Sequence, residues 1–249
     1  MRVTVIGGSG RSGRLVIEKL IAAGHTAIGT IRNPKHMAEL VKLGAEVQLV
    51  DLDKSEFDVI VNAMQGSDAV VFAAGSAAGE SSELDRKGTL RTVRAAEKAG
   101  VKRYLSISSI GASTGLSTRS MNDEMKDYYK QKRIAAKHIT GSTLNWTILE
   151  PGELTDGGGT GKVVLSQQAI NEESVPRVSW NTLPAALGSS SRATVTEATS
   201  SRGTDSSSIA CWLNTTLPVP PPSVSSPGSR MVQLRLEPVM CFAAARFCL

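Results

Sequence analysis

Residues 1–23 read MRVTVIGGSGRSGRLVIEKLIAA, and this stretch decides the fold. The apolar run from Val3 to Ile6 predicts a buried strand, and a glycine-rich turn follows it directly. From Arg14 to Ala23 the apolar residues recur at helical spacing, so they share one broad face. The opening stretch therefore predicts a strand, a tight turn and a helix.

The turn between this strand and this helix has the spacing Gly7-x-x-Gly10-x-x-Gly13. In a dinucleotide-binding turn the first glycine permits the bend, the second lets the backbone approach a pyrophosphate, and the third allows close helix–strand packing. The N–H groups at the start of the helix face the anion, with Arg11 and Ser12 beside them. We call residues 7–13 the glycine loop and interpret it as a phosphate loop; the alternative is a plain strand-to-helix turn.

The alternation of apolar runs and amphipathic stretches continues to about residue 165. Further apolar runs predict strands at 27–31, 47–50, 69–73, 104–107 and 146–149. Amphipathic stretches predict helices between them, at 35–43, 57–64, 84–99 and 127–139. Continuously apolar strands separated by helices indicate a parallel sheet covered on both faces. We therefore expect an α/β protein with a Rossmann-type doubly wound parallel sheet and helices on both faces.

The end of the second predicted strand carries the residues that select between two cofactors. NAD sites place an acidic residue there for the ribose 2′-hydroxyl, whereas NADP sites place an arginine nearby for the 2′-phosphate. Residues 30–35, TIRNPK, contain no acid, and Arg32 can bind phosphate through two N–H groups, with Arg11 facing the same group. We expect NADP(H) to be favoured over NAD(H); the alternative for Arg32 is a solvated surface arginine.

Several further motifs follow the glycine loop along the chain. They are Asp51-Leu52, Ala73-Ala74-Gly75, Asp85 to Thr89, Ala99 to Arg103, Ser108-Ser109, Tyr128, Lys132-Arg133 and Thr147 to Gly152. Their order resembles the short-chain dehydrogenase/reductase superfamily, and within it the atypical group of small NAD(P)H-binding, epimerase-like proteins, over residues 1 to about 165. One landmark departs from that group, because Glu150 stands where an arginine is usual.

The resemblance gives each matching residue a place along the cofactor. It implies that Asp51 and Leu52 lie by the adenine and that Ala73 to Gly75 line the ribose. It also implies that Ser108 lies on the nicotinamide side and that Pro151-Gly152 form a loop over the nicotinamide. A purely structural role for Asp51, as a helix cap or a strand-end turn residue, stays open.

Tyr128 and Lys132 are the candidate catalytic residues, together with Ser108. They lie four residues apart on a predicted helix, so both side chains emerge on one face. A nearby ammonium lowers the pKa of a tyrosine, which suits Tyr128 to exchange a proton with a substrate oxygen that Ser108 or Ser109 hydrogen-bonds. The resemblance implies that Lys132 also holds the nicotinamide ribose.

Alternatives to this chemistry stay open. Tyr129 is a rival for Tyr128, but its fourth neighbour is Arg133, whose guanidinium stays charged and cannot relay protons. The run 127–133 also fits an amphipathic surface helix without chemistry. Two functions follow: an NADP(H)-dependent oxidoreductase or epimerase-like enzyme, and a redox-inactive NADP(H)-sensing regulatory protein.

The composition changes after about residue 175. Residues 188–208 are dominated by Ser, Thr, Ala and Arg without an apolar period, and a Pro- and Ser-rich run follows. Such a segment buries too little apolar surface to offset its ordering entropy. We expect an NAD(P)-binding Rossmann domain at 1–175 and an irregular low-complexity tail at 176–249. A shift of reading frame and a genuine disordered tail are the two explanations, and the nucleotide sequence decides between them.

The charge distribution, the hydropathy and the spacing of histidines and cysteines argue against nucleic-acid-binding, membrane and metal-binding proteins. The net charge of +5 comes from 28 basic and 23 acidic residues that are interspersed, so we expect no nucleic-acid partner. Neither a membrane span nor a signal peptide is expected, which favours a cytoplasmic protein without a membrane partner. The histidines and cysteines lack metal-ligand spacing. We expect a small-molecule substrate, no metal, and a monomer or homodimer.

Overall fold

The computed structural model describes residues 1–75, 83–113, 117–155, 163–166, 177–179 and 193–197. The central strands are β1 (Arg2–Ile6), β2 (Thr26–Ile31), β3 (Glu46–Leu49), β4 (Ala69–Phe72), β5 (Arg103–Ile107) and β6 (Asn145–Pro151). The α-helices between them are α1 (Arg11–Ala22), α2 (Met37–Lys42), α3 (Phe57–Asn62), α4 (Glu83–Lys98) and α5 (Asp123–Thr140). A 3-10 turn, Pro34–His36, leads into α2.

The central sheet has the order β3-β2-β1-β4-β5-β6, and these strands are parallel. On one side of β1, Val3 lies opposite Ala27 of β2; on the other side, Val5 lies opposite Val71 of β4. The chain order reverses between β1 and β4, so the carboxyl ends of these strands flank a crevice. The predicted doubly wound parallel sheet is confirmed.

Apolar side chains fill a core on each face of the sheet, because successive strand residues point to opposite faces. On one face Val5 belongs to a cluster with Ile17 of α1 and Leu40 of α2. On the other face α3, α4 and α5 cover the sheet, where Phe72 shares a cluster with Val93. Helices therefore lie on both faces, as predicted.

Helix α5 begins at Asp123, four residues before the predicted start at residue 127. The side chain of Asn122 accepts a hydrogen bond from the N–H of Met125 at 2.8 Å and so caps the helix. Residues 121–126, MNDEMK, have no apolar period, so the hydrophobic pattern did not reveal this first turn. Because α5 carries Tyr128 and Lys132, the cap fixes the start of the element that holds both.

Strand β3 corrects the expectation that the strands are buried on both faces. It is the outer strand of the sheet, most of its residues are exposed, and Leu49 is 53% exposed. The reason is topological, because an outer strand has a neighbour on one side only. The local apolar pattern of residues 46–49 does not show that position in the sheet.

Short strands are also described after β6: β7 (Glu153–Thr155), β8 (Val163–Ser166), β9 (Arg177–Ser179) and β10 (Ala193–Glu197). β10 pairs in parallel with β6 and antiparallel with β8, and β7 pairs with β9. β9 and β10 fall within the stretch expected to be an irregular tail; β10 contains three β-branched residues, which favour a strand. The rest of 176–249 lies outside the described residues, and the domain boundary at 175 stays a prediction.

Candidate functional site

A cavity of about 220 Å³ opens at the carboxyl ends of β1, β2 and β4, where the order of the sheet reverses. The glycine loop, the end of β2, the turn after β3 and the turn after β4 form its wall. The lining residues are Ile6, Gly7, Ser9, Gly10, Thr30, Arg32, Val50, Asp51, Leu52, Asp53, Ala73, Ala74, Gly75 and Leu84. The predicted cofactor residues outside this wall are Arg11, Ser12, Gly13, Lys132 and Pro151.

The glycine loop is shaped by contacts that leave no room for side chains. Gly7 has φ +79°, which favours glycine, and a Cβ at Gly7 would lie 2.8 Å from the backbone of Ala74. A Cβ at Gly13 would lie 2.2 Å from the carbonyl oxygen of Gly7. Gly10 precedes α1, and its N–H donates to that same oxygen at 3.0 Å. This is the geometry of a tight turn with a closely packed helix, whereas pyrophosphate binding stays a prediction.

Thr30 of β2 holds the glycine loop against the second strand, and sequence reasoning gave it no such role. Its carbonyl oxygen accepts from the N–H of Gly8 at 2.9 Å, and its Oγ1 accepts from the N–H of Gly7 at 3.2 Å. The signal that marks it is its position, near the end of the strand beside the loop. Arg32 lies two residues further on, exposed at the wall of the cavity.

Side chains from within the turn after β3 and from α4 fix its backbone. Asp51 Oδ1 accepts hydrogen bonds from the N–H groups of Asp53 at 3.0 Å and Lys54 at 3.3 Å. Arg91 of α4 donates to the carbonyl oxygens of Leu52 and Ser55. Asp51 thus has the structural role that the sequence left open, and it also lines the cavity. Arg91 was missed, because its partners lie more than thirty residues away along the chain.

The segments after β5 and at the end of β6 lie side by side. The N–H of Ser108 donates to the carbonyl oxygen of Leu149 at 2.7 Å, and the N–H of Ile110 donates to that of Pro151 at 2.9 Å. Pro151 is buried at the end of β6, whereas Ser108 is half-buried and lines a small cavity that Lys132 also lines. The fold therefore brings Ser108 and Lys132 to one place.

Lys132 is buried beside Tyr128 and Asp85. It is 8% exposed, and its Nζ lies 5.4 Å from the centre of the Tyr128 ring and 2.9 Å from Oδ1 of Asp85. Burial by itself lowers the pKa of a lysine, but the hydroxyl of Tyr128 and the carboxylate of Asp85 outweigh it and raise the pKa of Lys132. Asp85 was missed as a site residue, since it lies on a different helix, 47 residues before Lys132.

Tyr129 has a different environment from Tyr128. It is 5% exposed, and burial raises the pKa of its hydroxyl, opposed by a hydrogen bond with Ser109. Its ring meets that of Tyr128 edge to face, with the centres 5.4 Å apart. In the structure Tyr128 therefore lies beside Lys132, whereas Tyr129 is hydrogen-bonded with Ser109. The two candidate tyrosines thus have different partners.

Glu150, the departure from the family pattern, is fully buried in β6. Its Oε1 accepts hydrogen bonds from the backbone N–H of Ser113, at 2.6 Å, and from the hydroxyl of the same residue. It thus ties the segment after β5 to β6. The negative charge of Glu150 also acts on Tyr129, and it opposes ionisation of that hydroxyl.

The described ranges contain neither a metal-binding cluster nor a membrane-spanning helix. In this part of the chain no group of three His, Cys, Asp or Glu side chains is arranged to hold a metal ion. Among the helices described, none is long and apolar enough to cross a membrane.

Comparison with known proteins identifies the class. A family model for NAD(P)H-binding proteins matches residues 7–179. The chain therefore belongs to the NAD(P)H-binding family, in the atypical branch of the short-chain dehydrogenase/reductase superfamily. This match confirms the resemblance drawn from the motifs.

Individual relatives agree with this assignment. The chain is 34% identical to UPF0659 protein YMR090W of Saccharomyces cerevisiae over 65% of its own length and 73% of that protein. It is 33% identical to the "Uncharacterized sugar epimerase YhfK" of Bacillus subtilis, over 66% of this chain and 77% of that protein. The structure of a candidate NAD-dependent epimerase/dehydratase from Bacillus halodurans superposes with a TM-score of 0.71 at 27% identity, covering 80% of this chain and 94% of that one.

Proposed function

We propose that the protein is an NADP(H)-dependent oxidoreductase or epimerase-like enzyme in which Tyr128 exchanges a proton with the substrate. The observation that carries this proposal is the buried ammonium of Lys132 beside Tyr128. A lysine with a purely structural role is rarely buried away from water in this way. Buried charged groups with shifted pKa values cluster at functional sites. Membership of the NAD(P)H-binding family supports the cofactor class.

The residues of the cleft fit a dinucleotide. The glycine loop offers backbone without side chains, because a Cβ at Gly7 or Gly13 would collide with backbone atoms. Its N–H groups at the start of α1 would hold the pyrophosphate. Leu52 lines the cavity and would contact the adenine. Lys132, which lines the small cavity beside Ser108, would hold the nicotinamide ribose.

The preference for NADP(H) over NAD(H) rests on Arg32. It follows β2 directly and lines the cavity, at the place where the 2′-phosphate would lie. Asp51 and Asp53 also line the cavity, but they follow β3, and Oδ1 of Asp51 already accepts backbone N–H groups. The acid that binds a 2′-hydroxyl usually follows the second strand, and no acid stands there.

The proposed chemistry divides between the cofactor and the chain. The bound cofactor supplies or accepts a hydride. Lys132 donates a hydrogen bond to the hydroxyl of Tyr128 and orients it, so Tyr128 would take a proton from a substrate hydroxyl or return one to a carbonyl. Ser108, on the same side as Lys132, hydrogen-bonds the substrate oxygen.

Titration with NADPH and NADH, followed by nicotinamide fluorescence, tests the cofactor. We expect tighter binding of NADPH, and a loss of about tenfold to a hundredfold for Arg32→Ala, the worth of a charge-assisted phosphate contact. NADH affinity should stay level in this variant. Arg94→Ala is the matched control, since Arg94 is an exposed arginine of α4 outside the cavity wall. Equal binding of both cofactors by the wild type would refute the preference.

A substrate screen with Tyr128→Phe tests the enzyme. Sugars and other carbonyl compounds are the first candidates, because one relative is named a sugar epimerase. Loss of a general acid or base costs roughly 10²- to 10⁴-fold in rate, while cofactor affinity should not change. Tyr129→Phe is the matched control and should keep activity. NADPH binding without turnover of any substrate would instead favour the redox-inactive alternative.

A further inference from the structure

A buried carboxylate lies beside the candidate site and has one charged partner. Asp85, in the first turn of α4, is 2% exposed, and its Oδ1 lies 2.9 Å from Nζ of Lys132. Among the described residues, neither oxygen of Asp85 has any other polar partner. A carboxylate buried in this way depends on its cationic neighbour for compensation.

Such a pair does little for the fold itself. The cost of removing both charges from water offsets most of their attraction, so an apolar pair of similar volume would serve stability as well. The location of the pair points to the site instead. Asp85 and Lys132 line a small cavity with Ser108, and Oδ1 of Asp85 lies 3.7 Å from where a Cβ of Gly75 would be.

We propose that Asp85 is a positioning residue, which holds the ammonium of Lys132 charged and in place for a hydroxyl of the bound ligand. An ammonium has three N–H donors. The ion pair with Asp85 occupies one side of the ammonium and the hydroxyl of Tyr128 another, so a donor would be left for a sugar hydroxyl of NADP(H). This inference rests on the proposed function and adds the residue that fixes Lys132.

The charges around Lys132 make the consequence of losing Asp85 specific. Within the described part of the chain, the titratable groups that face its ammonium are Asp85 from α4 and Tyr128 from α5. The strands beside it contribute hydroxyl and apolar groups, from Phe72, Ser106, Ser108 and Ile148. Removing Asp85 takes away the negative charge while burial persists. Tyr128 alone then opposes the effect of burial, so the pKa of Lys132 is lower than in the wild type and the lysine becomes neutral at a lower pH.

Asp85→Asn tests this role, because it keeps the shape and removes the charge. Asp58→Asn is the matched control, since Asp58 pairs with Lys98 at 2.7 Å on the exposed surface. Urea unfolding establishes that both variants fold. NADPH is then titrated by fluorescence from about pH 7 to about pH 9.5, a range in which a phosphate with its second pKa near 6 stays ionised.

We expect affinity to stay level with pH in the wild type and in Asp58→Asn. In Asp85→Asn it should weaken as the pH rises, by about tenfold to a hundredfold at the alkaline end, the worth of a hydrogen bond from a charged donor. In a Lys132→Met background, Asp85→Asn should cause no further loss, because Asp85 acts through the lysine. The double variant also provides a test if Asp85→Asn alone does not fold, because it leaves no unpaired charge buried in the protein.

Two results would overturn the inference alone. One is an affinity of Asp85→Asn that follows the wild type at every pH, and the other is a further loss of affinity in the Lys132→Met background. Failure of the wild type to bind NADPH at any pH would overturn the proposed function, and this inference with it.

Discussion

Gly13→Ala tests how closely α1 packs against the glycine loop. The new Cβ would lie 2.2 Å from the carbonyl oxygen of Gly7 and 2.9 Å from Cα of Gly8, whereas ordinary contacts begin at 3.4 Å. Both neighbours are backbone atoms of a loop that Thr30 holds in place. The start of α1 must therefore move away from the loop by about 1 Å.

The expected cost follows from two opposing terms. Overpacking a tight site costs roughly 1–3 kcal/mol, and we expect the upper end because neither backbone neighbour can rotate away. Alanine is favoured over glycine inside a helix by about 1 kcal/mol. The net change is a destabilisation of about 2 kcal/mol, or about 4–8 °C in Tm for a chain of this size.

Urea unfolding and NADPH titration measure the two effects of Gly13→Ala, on stability and on affinity. Gly88→Ala in α4 is the matched control for the stability measurement: its Cβ would lie 3.0 Å from the side-chain Cδ1 of Leu52, which can rotate. There the gain in helix propensity and the small repacking cost should nearly cancel. A Gly13→Ala variant as stable as the wild type, with unchanged affinity, would refute the close packing of α1.

Three further changes have definite expected outcomes. Tyr104→Phe removes the buried 2.8 Å hydrogen bond to Thr92 and should lower the free energy of unfolding by about 1 kcal/mol in urea. Asn122→Ala removes the cap that accepts from Met125 and should also cost about 1 kcal/mol, with faster amide exchange in the first turn of α5. Partial burial, aided by two arginines of α4, lowers the pKa of His138. The unfolded chain therefore binds the proton more readily, and the wild type loses stability as the pH falls below about 6.5. His138→Gln should lose less, which urea midpoints at about pH 7.5 and pH 5.5 compare; equal losses would contradict this.

The sequence was enough for the fold wherever local pattern and position in the sheet agree. Continuous apolar runs such as Ala69 to Phe72 became central strands, because strands covered by helices on both faces bury residues at every position. Strand β3 shows the limit, since its apolar residues lie at the edge of the sheet. Which strand is outermost depends on the strand order of the whole sheet. A short stretch of sequence does not contain this information.

The same limit applies to the candidate site, where residues that act on sequence neighbours are easier to predict than residues that act across the fold. The glycine loop and Arg32 could be proposed as site residues from the sequence, because their proposed roles depend on neighbours along the chain. Asp85 and Arg91 were missed, because each acts on residues that only the folded chain brings near. Thr30 was quoted for its strand, but its bonds to the loop depend on the register of β1 and β2.

The turn after β3 has a consequence for how the cleft accepts a ligand. Asp51 and Arg91 hold its backbone from inside, through four hydrogen bonds to main-chain groups of residues 52–55. The conformational entropy of this turn is thus lost on folding, so the proposed binding of the cofactor's adenine there would cost little further entropy. We therefore expect isolated adenosine phosphates to retain most of the affinity that this half of the cofactor contributes, since a preorganised subsite needs no help from the rest of the ligand.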